Sequence, residues 1–409
     1  MIADTKSGPA APLAVSPSTH PQPAKSMGNG RFFGSQNFHF QTLRAFMEAP
    51  SGSADINEIL ETVKLITDGD VQSWYTAWEA MADRVLALAE DTNDRISKSN
   101  AYMRAHNYQR TAEFLLPPND PKRVPSWQKC LASFDKGIQT SGVYCERISI
   151  PYQGGKLRAQ YFPGAPGAEQ KPLIMLVGGF DSIIEELHPF LGKAALARGY
   201  SVLAYEGPGQ GQPLRDGLKF TPEWERPTGA VLDTFLATHA KPKQIVLIGM
   251  SMGGYFAPRA AAFESRIDGV VAWDTLFDFG TVAGSILKLA GDPIGSKITD
   301  VVWAYNNARW TMGTSGIEDT AAASADYTLA PVADRIRQHV LIMAGEVDHF
   351  VPFHQTADFE IALVNAKSVT TKVFSRISGG GEHCQTGNLT LVHATLFDWL
   401  QSTFGAVRS

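Results

Sequence analysis

The chain has little cysteine, no block of like charges and no long apolar run. Its three cysteines, Cys130, Cys145 and Cys384, are widely spaced. This is the spacing of neither a metal site nor a disulfide framework, so we expect no bound metal and a reducing, cytoplasmic location. The net charge of −5 comes without a basic cluster, which argues against nucleic acid or an anionic membrane as a partner. No stretch reaches the roughly 18 apolar residues of a membrane-spanning helix.

What the chain does contain is typical of a globular protein. Of its 409 residues, 44% are apolar and 19% are charged, enough for one large domain and a smaller one. The first part is rich in proline, serine and alanine and has no apolar segment of signal-peptide length. We therefore expect residues 1–30 to be a disordered tail.

Two patterns divide the rest of the chain. Between about residues 41 and 116, apolar side chains recur with helical spacing, as at Ile56, Ile59 and Val63 and again at Trp74 and Trp78. This predicts a helical N-terminal domain over residues 31–140, with the aromatic stripe in its core.

From residue 145 onward, short β-prone runs alternate with helical patterns, which indicates an α/β fold. The predicted strands are residues 145–152, 156–162, 173–177, 201–205, 244–248, 269–273, 340–344 and 369–375. They predict a mostly parallel eight-stranded sheet whose first two strands form an antiparallel hairpin. The catalytic domain would comprise residues 141–274 and 331–409, with residues 275–330 inserted as a helical cap.

The most informative motif is an apolar run that leads into a serine flanked by glycines. Residues 245–248 are Ile-Val-Leu-Ile, and residues 249–253 are Gly-Met-Ser-Met-Gly. A G-x-S-x-G sequence between a strand and a helix is typical of the nucleophile elbow of α/β-hydrolases, because glycine has no Cβ to clash in so tight a turn. The motif predicts Ser251 as the nucleophile.

A serine nucleophile needs a base, and the base needs an acid that orients it. In this fold the acid follows the serine in the chain and stands after a later strand. Asp348 lies just past the apolar run at residues 339–344, and we predict it as the acid. Glu346 in the same loop is the alternative, which we interpret as a solvated carboxylate.

The base is expected after the last strand. Three glycines at residues 379–381 would let the chain fold back over the sheet and deliver His383 to the serine. The order Ser–Asp–His selects His383 from the ten histidines of the chain. We interpret His393 as structural, since it falls in the predicted final helix. His349 and His354 follow the acid and are expected to line the site.

An oxyanion hole requires two backbone N–H groups. One is expected from Met252, after the nucleophile, and the other from Phe180 or Gly179 after the third strand. Each such donor contributes on the order of 3 kcal/mol to stabilising the transition state. The glycine-rich segment at residues 205–211 lacks the lysine and the spacing of a phosphate loop, so we interpret it as the tight turn after the fourth strand.

The predicted cap is rich in residues that suit a substrate pocket. Among them, Asp278, Tyr305 and Trp310 are our candidates for contact with substrate, together with His349 near the acid loop. An aromatic residue of the cap serves equally well in packing the cap itself, and the sequence leaves this alternative open.

Several segments together resemble the FrsA-like α/β-hydrolases, a group that includes 2,6-dihydroxypseudooxynicotine hydrolases and the fungal yellowish-green polyketide hydrolases of pigment pathways. The resemblance spans about residues 40–405. Its carriers are Asp68-Gly69-Asp70, Ser73-Trp74 with Trp78, Arg104-Ala105, Tyr108-Gln109-Arg110, Gly178-Gly179-Phe180-Asp181-Ser182 with Glu185-Glu186, residues 205–211, residues 249–254 and Glu382-His383-Cys384-Gln385.

The resemblance implies hydrolysis of a C–C bond next to a ketone, in an aromatic or polyketide small molecule of secondary metabolism such as pigment biosynthesis. It carries Ser251, Asp348 and His383 over as the triad, without a cofactor. It also implies an extra acidic residue that assists C–C cleavage, for which Asp274 and Asp278 are the candidates. A homodimer is the assembly that the resemblance suggests.

Two other functions fit the same sequence. An esterase, lactonase, thioesterase or acyltransferase would use the same three groups, and fold alone does not separate these reactions. A non-catalytic interaction module that retains the fold is the alternative from another class, and the intact Ser–Asp–His order argues against it.

Overall fold

The structure is a computed structural model that describes residues 31–405. The predicted disordered tail, residues 1–30, lies outside the described residues. One sheet forms the centre, built from β1 (Glu146–Tyr152), β2 (Gly155–Phe162), β3 (Leu173–Val177), β4 (Val202–Glu206), β5 (Ile245–Met250), β6 (Gly269–Trp273), β7 (His339–Gly345) and β8 (Ser368–Phe374).

The strand order across the sheet is β1-β2-β4-β3-β5-β6-β7-β8. The pairs β1–β2 and β2–β4 are antiparallel, and the other five pairs are parallel. This confirms the predicted mostly parallel eight-stranded sheet with an antiparallel hairpin at its start. The strands β3 to β6 are buried along their whole length, because helices cover both faces of the sheet, and they therefore read as continuous apolar runs.

Five helices precede the sheet: α1 (Gln36–Met47), α2 (Ile56–Val63), α3 (Val71–Asp91), α4 (Arg95–Phe114) and α5 (Arg123–Ser141). Trp74, Trp78 and Tyr108 are fully buried where α3 packs on α4. Sequence periodicity indicates α2, α3 and α4 but does not distinguish α1. The reason is that α1 buries Asn37 and Gln41 as well as its aromatic residues, so it shows no continuous apolar stripe.

The helices that flank the sheet are α6 (Ile184–Leu187), α7 (Lys193–Ala197), α8 (Gly211–Arg215), α9 (Glu225–Thr238), α10 (Gly253–Ala261), α14 (His354–Ala362) and α15 (Leu389–Phe404). Three more helices lie between β6 and β7, within the predicted cap: α11 (Phe279–Ala290), α12 (Thr299–Met312) and α13 (Ile317–Ala325). No helix among residues 31–405 combines the length and apolar character needed to cross a membrane.

The sheet topology sets the place where a site can form. The chain leaves β3 for β4 on one side and returns to β5 on the other, so the loops after β3 and β5 diverge to opposite sides. In open α/β sheets, ligands bind at such a point, outside the carboxyl ends of the strands. Val177 pairs with Gly249, and Met250 pairs with Trp273, which brings the ends of β3, β5 and β6 to one edge.

Candidate active site

Ser251 occupies a strained turn between β5 and α10. Its φ is +58°, in the left-handed region that side chains with a Cβ rarely adopt. The turn is held by two short backbone hydrogen bonds: the N–H of Ser251 donates to Trp273 O at 2.7 Å, and the N–H of Gly254 donates to Ser251 O at 2.7 Å. A Cβ on Gly249 would lie 1.9 Å from Gly253 O. Only glycine therefore fits there, as the motif predicts.

His383 lies between the serine and a carboxylate. Its Nε2 is 2.8 Å from Oγ of Ser251, and its Nδ1 is 2.7 Å from Oδ2 of Asp348. Since an ionised carboxylate only accepts hydrogen bonds, Nδ1 carries the proton and Nε2 is free to accept one from the hydroxyl. The structure thus brings together the three residues that the sequence predicts as the triad, although they lie far apart in the chain.

The loop after β7 holds Asp348 in its ionised form. Oδ1 of Asp348 accepts the N–H groups of Phe350 at 2.7 Å and Val351 at 2.9 Å. Burial by itself raises the pKa of Asp348, but the positive charge of His383 and these hydrogen bonds outweigh burial and hold it below its ordinary value. In turn, burial lowers the pKa of His383, and the Asp348 carboxylate more than reverses this, so the net direction is well upward.

A second carboxylate faces the same ring nitrogen. Asp274 follows β6 and is buried, and its Oδ2 lies 3.3 Å from Nδ1 of His383. It also accepts the backbone N–H of Cys384 and, at 3.3 Å, that of Gly345. Burial first, and then the charge of Asp348, raise the pKa of Asp274. His383 is therefore oriented by two carboxylates with opposite pKa shifts. Asp278, the other candidate for an extra acid, caps α11 by accepting the N–H of Thr281 at 3.1 Å.

The alternative residues of the sequence analysis lie elsewhere. Glu346 is exposed and accepts the N–H of Arg376 at 2.9 Å. His393 is 2.8 Å from Phe190 O, and the largely exposed His354 lies near an acidic side chain of its own helix. His349 packs its ring on Phe350, with 4.0 Å between ring centroids.

One cluster of potential metal ligands includes the base. Within residues 31–405 one group qualifies by distance, namely Asp274, His383 and Cys384, whose ligand atoms all lie within 4.8 Å of one another. The ring of His383 is already engaged by Ser251 and Asp348. This arrangement suits proton transfer, and burial raises the pKa of the Cys384 thiol to about 11.

Comparison with known proteins identifies the family. The sequence profile described as the alpha/beta hydrolase family matches residues 173–373. Hydrolase acrC of Aspergillus aculeatus is 31% identical over 425 aligned residues, which cover 91% of this chain and 98% of acrC. The chain belongs to the α/β-hydrolase family. Two further relatives are 20-hydroxy-prefusarin hydrolase FUS2 of Gibberella moniliformis, 31% identical over 92% of this chain and 99% of FUS2, and hydrolase LUC6 of a Fusarium species, 32% identical over 92% and 99%.

Solved structures show the same fold. The 2,6-dihydroxy-pseudo-oxynicotine hydrolase superposes with a TM-score of 0.70 at 20% identity, covering 88% of this chain and 95% of its own. The protein AbyA5 superposes with a TM-score of 0.63 at 20% identity, over 84% and 93%. The resemblance seen in the sequence is confirmed. The relatives are named hydrolases, and the alignments cover nearly their whole length. This protein is therefore a hydrolase enzyme, which argues against the non-catalytic alternative.

The hydrolase has a cavity of about 140 Å³ above Ser251, which is partly open to solvent. The helix α11, in the predicted cap, supplies an apolar wall that includes Phe279, Val282 and Leu287. The three predicted oxyanion-hole residues, Gly179, Phe180 and Met252, and the predicted contact residue Tyr305 also line it. The cavity is therefore mostly apolar around the serine.

Asp278, Trp310 and His349 are not among the residues that line this cavity. Asp278 caps α11, and Trp310 stacks on the guanidinium groups of Arg123 at 4.6 Å and Arg215 at 5.4 Å. Of the four predicted contact residues, the structure thus brings only Tyr305 to the cavity. Residue type and cap position favour an aromatic contact, but they do not tell which face of α12 turns inward.

The helix α1 supplies cavity residues that the sequence analysis does not identify. Arg44 lines the cavity and forms salt bridges with Asp181 at 3.1 Å and Glu186 at 2.8 Å. Arg110 of α4 adds a bridge to Glu186 at 3.3 Å and a hydrogen bond to Asp181 O at 2.6 Å. This buried network ties the N-terminal helices to the loop after β3. Three members of this network, Arg110, Asp181 and Glu186, stand among the residues that carry the resemblance, whereas Arg44 does not.

Proposed function

We propose that Ser251, His383 and Asp348 act as a catalytic triad that hydrolyses a C–C bond next to a ketone. The observation that carries the proposal is the position of His383, which bridges the serine hydroxyl and a buried carboxylate beneath a mostly apolar cavity. A serine that loses its proton to an adjacent base is an effective nucleophile toward carbonyl carbon.

In the first step Oγ of Ser251 bonds to a substrate carbonyl carbon while its proton passes to His383. The N–H groups of Met252 and of Phe180 or Gly179 hold the oxyanion. Collapse breaks the C–C bond, and the electron pair leaves on carbon as an enolate. His383 protonates that carbon, which releases the truncated ketone. Water then hydrolyses the acyl-enzyme, releasing a carboxylic acid and restoring Ser251. The net change consumes one water, and the steps need no cofactor.

The geometry around His383 supports hydrolysis of a C–C bond, in which the leaving group is a carbanion. A carbanion leaves only if a second carbonyl or an aryl ring delocalises its charge and if an acid is placed to protonate it. The pKa of His383 is raised by Asp348, which favours the protonated ring that must deliver the proton. We assign the assisting acid to Asp274, because its carboxylate faces Nδ1 of His383 whereas Asp278 serves as a helix cap.

The cavity suits a small aromatic or polyketide ketone. Its apolar walls would bury an acyl or aryl chain, and Asp181 and Arg44 offer polar groups at one end. One relative carries the name 20-hydroxy-prefusarin hydrolase, which is consistent with a hydroxylated substrate. Ester, lactone or thioester hydrolysis by the same triad is the alternative reaction. The homodimer that the resemblance suggests stays a prediction, which light scattering would test.

The decisive experiment is product mass spectrometry in heavy-oxygen water with an aryl β-diketone as substrate. C–C hydrolysis yields a truncated ketone and a short acid that carries one heavy oxygen atom. Ser251→Ala should abolish both products. Ser402→Ala serves as the matched control, because Ser402 is exposed and its hydroxyl donates to Trp399 O at 3.0 Å. An intact diketone, from protein whose Ser251 still reacts with a fluorophosphonate, would favour the esterase alternative instead.

A further inference from the structure

A glutamine behind the oxyanion loop engages two consecutive peptide carbonyls. Gln210, in the turn after β4, is 2% exposed, and its Nε2 donates to Gly178 O at 2.8 Å and to Gly179 O at 2.9 Å. Its Oε1 accepts the N–H of Gly207 at 3.0 Å. Since carbonyls only accept and an N–H only donates, these partners leave one orientation for the side-chain amide.

The bonds to Gln210 determine where the opposite sides of the same peptides point. A trans peptide is planar, and its N–H points away from its C=O; no cis peptide occurs among the described residues. With the carbonyls of Gly178 and Gly179 turned toward Gln210, the N–H groups of Gly179 and Phe180 must turn away from it. Gly179 and Phe180 line the cavity and Gln210 does not, so both N–H groups face the cavity side.

Gly179, whose Cα lies between these two N–H groups, is next to the nucleophile. A Cβ built on Gly179 would be 2.8 Å from Cβ of Ser251 and 3.1 Å from its Oγ. Within residues 31–405, neither the N–H of Gly179 nor that of Phe180 donates to another protein group. Backbone donors are nearly always paired in folded proteins, and a pair left open beside a nucleophile is available to a developing oxyanion.

The loop itself holds this shape weakly, through a hydrogen bond of 3.4 Å from the N–H of Ser182 to Gly179 O. Two adjacent carbonyl dipoles that point to one side repel each other, and a rotation of either peptide would remove one N–H from the cavity. The carbonyl of Gly179 thus accepts the N–H of Ser182 as well, whereas within residues 31–405 the carbonyl of Gly178 is bound by the Gln210 amide alone. Gln210 is the one donor that the two carbonyls share.

We propose that Gln210 is a positioning residue that sets the oxyanion hole by locking the peptides 178–179 and 179–180. The proposal rests on the proposed serine mechanism and adds a residue that touches neither the substrate nor the triad. It also assigns a role to the segment at residues 205–211, which the sequence analysis interprets as the tight turn after the fourth strand.

The test measures phosphonylation of Ser251 by a fluorophosphonate probe, in which the phosphoryl oxygen stands in for the oxyanion. Gln210→Met keeps the length of the side chain but cannot donate. We expect its maximal labelling rate to fall about 100-fold, the effect of removing one oxyanion-hole donor, while the probe concentration giving half-maximal rate stays within threefold. Gln212→Met is the matched control, since the side-chain amide of Gln212 donates to the exposed Asp216. This variant should be labelled at the wild-type rate.

A second variant covers the case in which Gln210→Met does not fold. In Gln210→Glu, a carboxylate would repel the two carbonyls, whereas its protonated form can donate to one of them. The ratio of its labelling rate to that of wild type should therefore rise as pH falls, which a merely structural role would not produce. Labelling of Gln210→Met within threefold of Gln212→Met, or a flat ratio for Gln210→Glu, overturns the proposal. Absence of labelling in the wild type would instead reject the serine mechanism itself.

Discussion

The carboxylate of Asp274 lies 3.3 Å from Nδ1 of His383, in addition to the triad acid on the same nitrogen. The carboxylates of Asp274 and Asp348 both lie within 3.3 Å of this nitrogen. Two carboxylates that share one site cannot both ionise freely. The pKa shifts agree with that rule, because burial and the charge of Asp348 raise the pKa of Asp274, while His383 and two backbone N–H groups lower that of Asp348. Of the two carboxylates beside the base, Asp274 is therefore the one that binds a proton more readily.

Replacement of Asp348 should therefore be partly compensated. In Asp348→Asn the repulsion is removed, Asp274 ionises, and it accepts the Nδ1 proton of His383. We expect kcat to fall about 10²-fold, compared with the roughly 10⁴-fold loss seen when a triad histidine loses its only acid. Steady-state kinetics of the single variant and of Asp348→Asn/Asp274→Asn would measure the difference. Asp278→Asn is the control, and equal losses in the single and double variants would contradict the compensation.

The pH dependence of the reaction should follow His383. The base must be neutral to take the proton of Ser251, so activity is lost as pH falls through the pKa of His383. Because Asp348 raises that pKa, the acid limb of kcat/KM should lie above the ordinary histidine value of about 6.5. In Asp348→Asn the limb should move to lower pH. A wild-type limb below pH 6 would show that the carboxylates do not raise the basicity of the ring.

Acid should destabilise the protein through two buried histidines outside the site. Burial lowers the pKa of His106 to about 4 and that of His188 to about 3. Between pH 6.5 and 4 the unfolded chain binds protons at these rings and the folded chain does not. The free energy of unfolding should thus fall by about 1.4 kcal/mol per pH unit for each histidine as pH decreases.

Urea unfolding at several pH values checks this expectation. His188→Leu removes one titrating ring. The pH dependence of the free energy of unfolding should then be less steep by about 1.4 kcal/mol per pH unit, the contribution of one histidine. His354→Asn is the control, because that ring is largely exposed and its replacement should leave the slope unchanged. If His188→Leu kept the full wild-type slope between pH 6.5 and 4, other groups would carry the acid sensitivity.

A methyl group at Gly179 should impair the nucleophile. The new Cβ would lie 2.8 Å from Cβ of Ser251 and 3.0 Å from Met250 O, so the loop or the elbow must shift. We expect Gly179→Ala to lower kcat by about 10²-fold, the order expected when an oxyanion donor is misplaced. In Gly284→Ala, by contrast, the Cβ of the α11 residue would meet no atom within 4 Å. That control should keep its activity and gain up to about 1 kcal/mol of stability from helix propensity.

The sequence by itself determined the sheet and the order of the chemical groups. Central strands such as β5 are buried on both faces, so their apolar runs are visible without a structure, and the glycines around Ser251 follow from a turn that excludes a Cβ. Asp348 and His383 are recognisable because each follows its strand in a characteristic order. These signals are local, and local steric and periodic rules are sufficient to read them.

Only the tertiary structure decided which distant residues complete the site. Arg44 of α1 lines the cavity and forms salt bridges with Asp181 and Glu186, which follow β3. Asp274 follows β6 and contacts His383 and Cys384, although it precedes Cys384 by 110 residues in the chain. Gln210 is opposite Gly178 and Gly179 because β4 lies beside β3 in the sheet. Such contacts depend on the packing of elements that are remote in sequence, and no periodicity or short motif records which side chains that packing brings together.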